Sequence, residues 1–154
     1  MTDFDLRDMA EKFKATAKEN LQTHGVVLPI AFLFDTSGRV NPVMLNMKDS
    51  SEKEACSRFL RETVKQLDVI AYLIVAEAFV ADRSMFLFSE KIPPSEHPEH
   101  VDAIFVQARS RDECLLWIIK FRKTDTGIVF AKEELYEEDT KGLFGNLFEE
   151  ENTA

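Results

Sequence analysis

Glycine is scarce in this chain: five in 154 residues, none of them clustered. A phosphate-cradling loop of the P-loop or dinucleotide-binding kind cannot be built from so few. Cysteine is scarcer still. Cys56 and Cys114 form no Cys-x-x-Cys pair and read as small buried hydrophobes of a reducing compartment. Positive charge is also short, with 19 Lys and Arg against 28 Asp and Glu. The formal net charge of −9 argues against a phosphate backbone as partner. No apolar run reaches the ~20 residues needed to span a bilayer. The N-terminus MTDFDLRDMAEKF has no apolar signal region. The nucleophile elbow Gly-x-Ser-x-Gly is missing as well. These absences predict a soluble, cytoplasmic protein with neither nucleic acid nor membrane as a partner.

What is present is a sizeable apolar fraction, 45% of residues, with 13 Phe against two Tyr and one Trp. Aromatics in that ratio serve burial more than polar recognition. Length and composition fit a single domain over residues 1–131. An acidic C-terminal tail with room for a short helix follows at 132–154. The tail holds eight acids against Lys132 and Lys141, six of the nine net negative charges.

Periodicity supplies the fold. Leu6, Met9, Ala10, Phe13, Ala17 and Leu21 recur at helical spacing over residues 3–24, with Thr2 and Asp5 as a capping pair and Gly25 as the stop. Val26–Phe34 and Arg39–Met47 are strand-like runs joined through Asp35-Thr-Ser-Gly38, a hairpin turn in which Asp35 is a turn former. Pro29 and Pro42 inside these runs call for an edge position or a bulge. A second helix opens near Asp49, with Ala55, Phe59, Leu60, Val64 and Leu67 as its apolar face. Strands are expected at Val69–Val80, Val101–Arg109 and Cys114–Arg122, with a short one at Gly127–Ala131. The predicted fold is α+β: a mostly antiparallel sheet of five to six strands with two helices, in the order αββαβββ. It forms a two-layer or three-layer sandwich.

One residue breaks the pattern. Glu77 lies inside the most apolar stretch, DVIAYLIVAEAFVADRS, on the Leu73/Val75/Phe79 face of a strand covered on both sides. A buried carboxylate needs a partner or a proton. Arg83, Arg109 and Lys120 are the cations considered for it, and water at the strand end is the alternative. As a site residue Glu77 is the candidate catalytic acid. With His97 and His100 from the loop IPPSEHPEH it makes a candidate three-ligand set for a divalent metal, the form in which catalytic zinc keeps an open position. The helical His-Glu-x-x-His signature of zinc peptidases is absent, and the proline-broken loop does not force the two rings together.

The stretch from Glu77 to Ala103 resembles a family of small uncharacterised prokaryotic proteins. That family carries Glu-Ala-Trp, then Pro-Ser-x-His-Pro-x-Arg, then an acid and Ala. Here the corresponding residues are Glu77-Ala-Phe79, Pro94-Ser-Glu-His-Pro-Glu-His100 and Asp102-Ala103, so Phe79 stands for Trp and His100 for Arg. The family has no assigned activity, and the resemblance implies a grouping without a mechanism.

The tail offers a second candidate. Leu143-Phe144 and Leu147-Phe148 are two Leu-Phe pairs four residues apart between acidic runs. Helical spacing would put Leu143, Phe144, Leu147 and Phe148 on one face, able to enter a partner's groove. Docking of the same residues on the chain's own sheet is the alternative. The leading functional expectation is a non-enzymatic scaffold or interaction domain that binds a protein partner or a second copy as a homodimer. The alternative is a small hydrolase, with or without a divalent metal, using Glu77, His97 and His100. A third is a small-ligand sensor with its pocket between the central strand and the proline loop. No cofactor is expected beyond that metal.

Overall fold

The computed structural model describes residues 5–45, 50–80, 101–137 and 147–148. The elements are α1 (Leu6–His24), β1 (Ile30–Asp35), β2 (Val40–Met44), α2 (Ser50–Gln66), β3 (Val69–Val80), β4 (Val101–Ser110), β5 (Cys114–Thr124), β6 (Gly127–Phe130) and β7 (Glu134–Tyr136). All strands pair antiparallel in one seven-stranded sheet of order β2-β1-β3-β4-β5-β6, with β7 also on β5. The α+β class and the αββαβββ order are those expected from the pattern. The sheet is wider because Glu134–Tyr136, in the acidic segment, adds a strand beside Leu116–Ile118.

The helices take opposite faces, which makes three layers. One core cluster joins Leu6, Ala10, Ala17 and Leu21 of α1 to Leu73, Val75, Ile104, Val106, Trp117 and Ile119. The other joins Leu60 and Val64 of α2 to Leu33, Tyr72, Ile74, Phe105 and Ile118. Alternation along β3 feeds both clusters, as a central strand apolar on both parities requires.

The α1 helix is amphipathic by sequence, and its ends are set by single residues. Asp5 is the N-cap, its carboxylate accepting from the Asp8 N–H at 3.1 Å. The helix therefore begins at Leu6 rather than at residue 3, and Thr2 lies outside the described residues. Gly25 adopts a left-handed φ of 76° and donates its N–H to the Leu21 carbonyl, which stops the helix where glycine predicts. The β1–β2 turn is fixed by Asp35, whose carboxylate accepts from the N–H groups of Ser37 and Arg39 and from the Asn41 amide.

The buried stripe of α2 differs from the expected one. Leu60 and Val64 are buried and Cys56 is partly so, whereas Ala55, Phe59 and Leu67 are exposed. Cys56, Leu60 and Val64 stack at i, i+4 toward the sheet. Phe59, one residue away, is turned about 100° around the helix axis and faces out.

Candidate functional site

Glu77 sits where β3 leaves the cover of α1. The segment after Gly25 passes over it, and the Val27 N–H donates to its carboxylate. The Oε1 atom is buried and has no hydrogen-bond partner among the described residues. Burial pushes its pKa above the usual carboxylate range. Lys123 opposes that shift and Asp102 adds to it. Lys123 in turn donates to the Gly25 carbonyl at 3.3 Å, tying the end of α1 to the end of β5.

Of the expected cations, Arg83 lies outside the described residues, and Arg109 and Lys120 do not reach this carboxylate. Glu77 lies opposite Ile104 on the α1 face. Arg109 lies opposite Tyr72, and Lys120 opposite Ala103, both on the α2 face. Directly paired residues share a face, so two of the three candidate partners are separated from Glu77 by the sheet itself. The cation that acts on it among the described residues is Lys123, with Asp102 opposing.

Val27 is also a wall of a cleft of about 300 Å³ between α1 and β1. Phe13, Ala17, Val27, Phe32 and Val75 give it an apolar lining, and Thr16, Asn20 and His24 contribute polar groups from α1. The volume is at the lower end of small-molecule pockets, ~300–1,000 Å³. The cleft exists because α1 packs over β3, β4 and β6. Phe13 reaches across to β1, its ring centroid 4.6 Å from that of Phe32 and 5.9 Å from that of Phe34.

Farther out, the α1 face of the sheet has no cover among the described residues. Val40, Pro42 and Met44 of β2 lie opposite Phe34, Phe32 and Ile30 and project there into solvent. Met44 is 59% exposed and Leu28, at the mouth of the cleft, 54%; Val26 and Val40 are exposed too. Among the described residues the result is a surface with a recess and projecting apolar side chains.

Sequence reasoning did not find this surface. The run Val26–Phe34 and the alternation of β2 were visible, but which half of the sheet α1 covers is decided by tertiary packing.

Of the other sequence candidates, His97, His100, Leu143 and Phe144 lie outside the described residues. No group of three His, Cys, Asp or Glu able to hold a metal occurs among the described residues. Leu147 and Phe148 pack on the chain's own α2 face, Leu147 buried and Phe148 partly so. Among the described residues no helix is long and apolar enough to cross a membrane. The chain matches no family model, no curated protein and no solved structure in these comparisons.

Proposed function

We propose that this chain is a non-enzymatic interaction domain that pairs with a second copy of itself through the β1–β2 half of the α1 face. The observation that carries this reading is that recess and projection occur side by side on one surface. Met44 and Leu28 stand out from it, and the cleft beside them is apolar and wide enough for such side chains. A two-fold axis through that surface would send each copy's projections into the other's recess, the requirement for a self-complementary dimer. In a chain of net charge −9, two copies meet with least repulsion through a patch whose named side chains carry no charge.

The contact is face to face rather than edge to edge. Leu45 N–H bonds to the Pro29 carbonyl and Asp35 N–H to the Arg39 carbonyl. Those bonds set the odd-numbered residues of β2 toward β1. Even-numbered positions therefore turn their backbone outward, and Pro42 is one of them. A proline there lacks the donor that an added strand would need, which blunts the edge.

Sedimentation of the full chain tests the reading. A dimer is expected, and Met44→Asp with Leu28→Asp converts it to a monomer of unchanged circular dichroism. A wild-type chain that stays monomeric up to about 100 μM has a contact weaker than roughly 5.5 kcal/mol and overturns the proposal.

A further inference from the structure

The α2 face carries a second arrangement, built around polar groups buried in a core. Tyr72 is opposite Arg109, and Ile74 is opposite Gln107. Arg109 is 4% exposed, and its Nη2 lies 3.2 Å from Cys114 Sγ. Arg61 of α2 joins it near Tyr72. Burial pushes the Tyr72 hydroxyl up to about 12, although both guanidinium groups favour its ionised form. The hydroxyl is therefore a neutral hydrogen-bonding group at physiological pH.

The chain's own C-terminal segment lies on this cluster. The Leu147 N–H donates to Tyr72 Oη at 3.1 Å, and the Leu147 side chain enters the apolar cluster of Leu60, Val64, Ile74 and Leu116. The Phe148 ring lies 5.4 Å from the Tyr72 ring, and the Arg111 guanidinium is 4.9 Å from the Phe148 ring centroid. These contacts divide the work of recognition. A hydroxyl reads the main chain, a socket takes the aliphatic side chain, and an aromatic shelf with a cation takes the ring. Arg61, Arg109 and Arg111 gather positive charge here in an otherwise acidic chain. The segment that Arg111 contacts continues in sequence as Glu149-Glu150-Glu151.

We propose that this groove is a peptide-recognition site for a Leu-Phe pair followed by acidic residues. The chain's own Leu147–Phe148 occupies it in cis, and a partner protein carrying the same motif replaces that segment. Charge complementarity selects the acidic flank, and the socket and shelf select the pair. A tethered segment acts at an effective concentration of millimolar order, so the native tail holds off a free peptide until its own contacts are weakened.

The probe is a fluorescein-labelled peptide of residues 141–152, KGLFGNLFEEEN, titrated with the full chain and read by fluorescence anisotropy. The chain with Leu147→Ser and Phe148→Ser is expected to bind at least ~10-fold more tightly than wild type, because its groove is vacated. Adding Arg111→Glu, a change at an exposed position, is expected to remove that gain. A probe with serine at its four Leu and Phe positions is expected not to bind.

A doubly substituted chain that is folded by circular dichroism yet binds no more tightly than wild type overturns the proposal. So does association of that chain with itself beyond that of wild type, in place of peptide binding. If the double variant does not fold, wild type at about 1 mM is titrated instead. Anisotropy that rises with wild type and not with Arg111→Glu supports the site, and no rise overturns it.

Discussion

Lys14 and Glu133, 119 residues apart, form an ion pair at 2.6 Å that closes α1 over the sheet. The other carboxylate oxygen of Glu133 binds Lys18 at 2.9 Å, and Lys14 lies over the Trp117 ring, 5.1 Å from its centroid. Lys14 is one of the few buried charged residues described. Burial lowers the affinity of its amine for a proton, but Glu11 and Glu133 outweigh that and raise its pKa. For Glu133, burial acts upward, while the hydrogen bonds and charges of Lys14 and Lys18 win and lower it.

Glu133→Gln is therefore expected to lower unfolding free energy at pH 7 by about 1–2 kcal/mol, since it leaves a largely buried ammonium with a weaker partner. The sign with pH follows. A depressed carboxylate contributes above its ordinary 4.5, and that contribution is lost as pH falls through the lower folded value. Urea unfolding of wild type and variant is expected to converge at acid pH. A constant gap down to pH 3 would sink the assignment.

Glu77 has the opposite sign. Its folded pKa is raised, so the ionised form is penalised. The penalty grows as pH rises from the ordinary 4.5 and is complete above the folded value. Glu77→Gln keeps an acceptor for the Val27 N–H and removes the charge. Its stability relative to wild type is expected to improve between pH 4 and pH 7 by on the order of 1 kcal/mol. Thermal melts at the two pH values check it, and a difference independent of pH refutes it.

Gln107 is 2% exposed, and neither amide atom has a hydrogen-bond partner among the described residues. Gln107→Met, similar in shape and free of polar demand, is expected to raise stability by about 1–2 kcal/mol in denaturant titration. A loss of stability instead would mean that the amide is satisfied.

Pro42→Val should restore an outward N–H in the middle of the β2 edge and complete its donor row. Light scattering of concentrated protein is expected to show association beyond that of wild type, with little change in unfolding midpoint. Scattering equal to wild type would show that the proline does not guard this edge.

The sequence was most legible where local rules act alone. Val69–Val80 matches β3 to the residue because apolar side chains on both parities allow only a central strand. Gly25 and Asp35 announced a helix stop and a turn from their own conformational preferences. The burial of Lys14 was not readable, because only Glu11 of its partners is local, whereas Glu133 and the Trp117 ring are remote in the chain. Arg109 and Lys120 were misplaced as partners of Glu77 for a related reason. Choosing between Arg109 and Lys123 needs the register of two further strands, and one residue of register moves a cation through the sheet. The uncovered apolar surface depends on where α1 lies, which helical periodicity does not state.

β3 is paired on both sides through its middle, by β1 up to Val75 and by β4 from Ala71 to Val80. A strand held on two edges cannot slide or twist on its own, so its two faces act as opposite sides of a stiff partition. Val75 looks into the cleft on one side, and Tyr72 supports Phe148 on the other. Bodies seated on the two sides would be held back to back at a fixed separation, unable to touch or displace one another. If both proposed contacts form, such a partition would fix the geometry between the two neighbours and let the affinity for each be set independently.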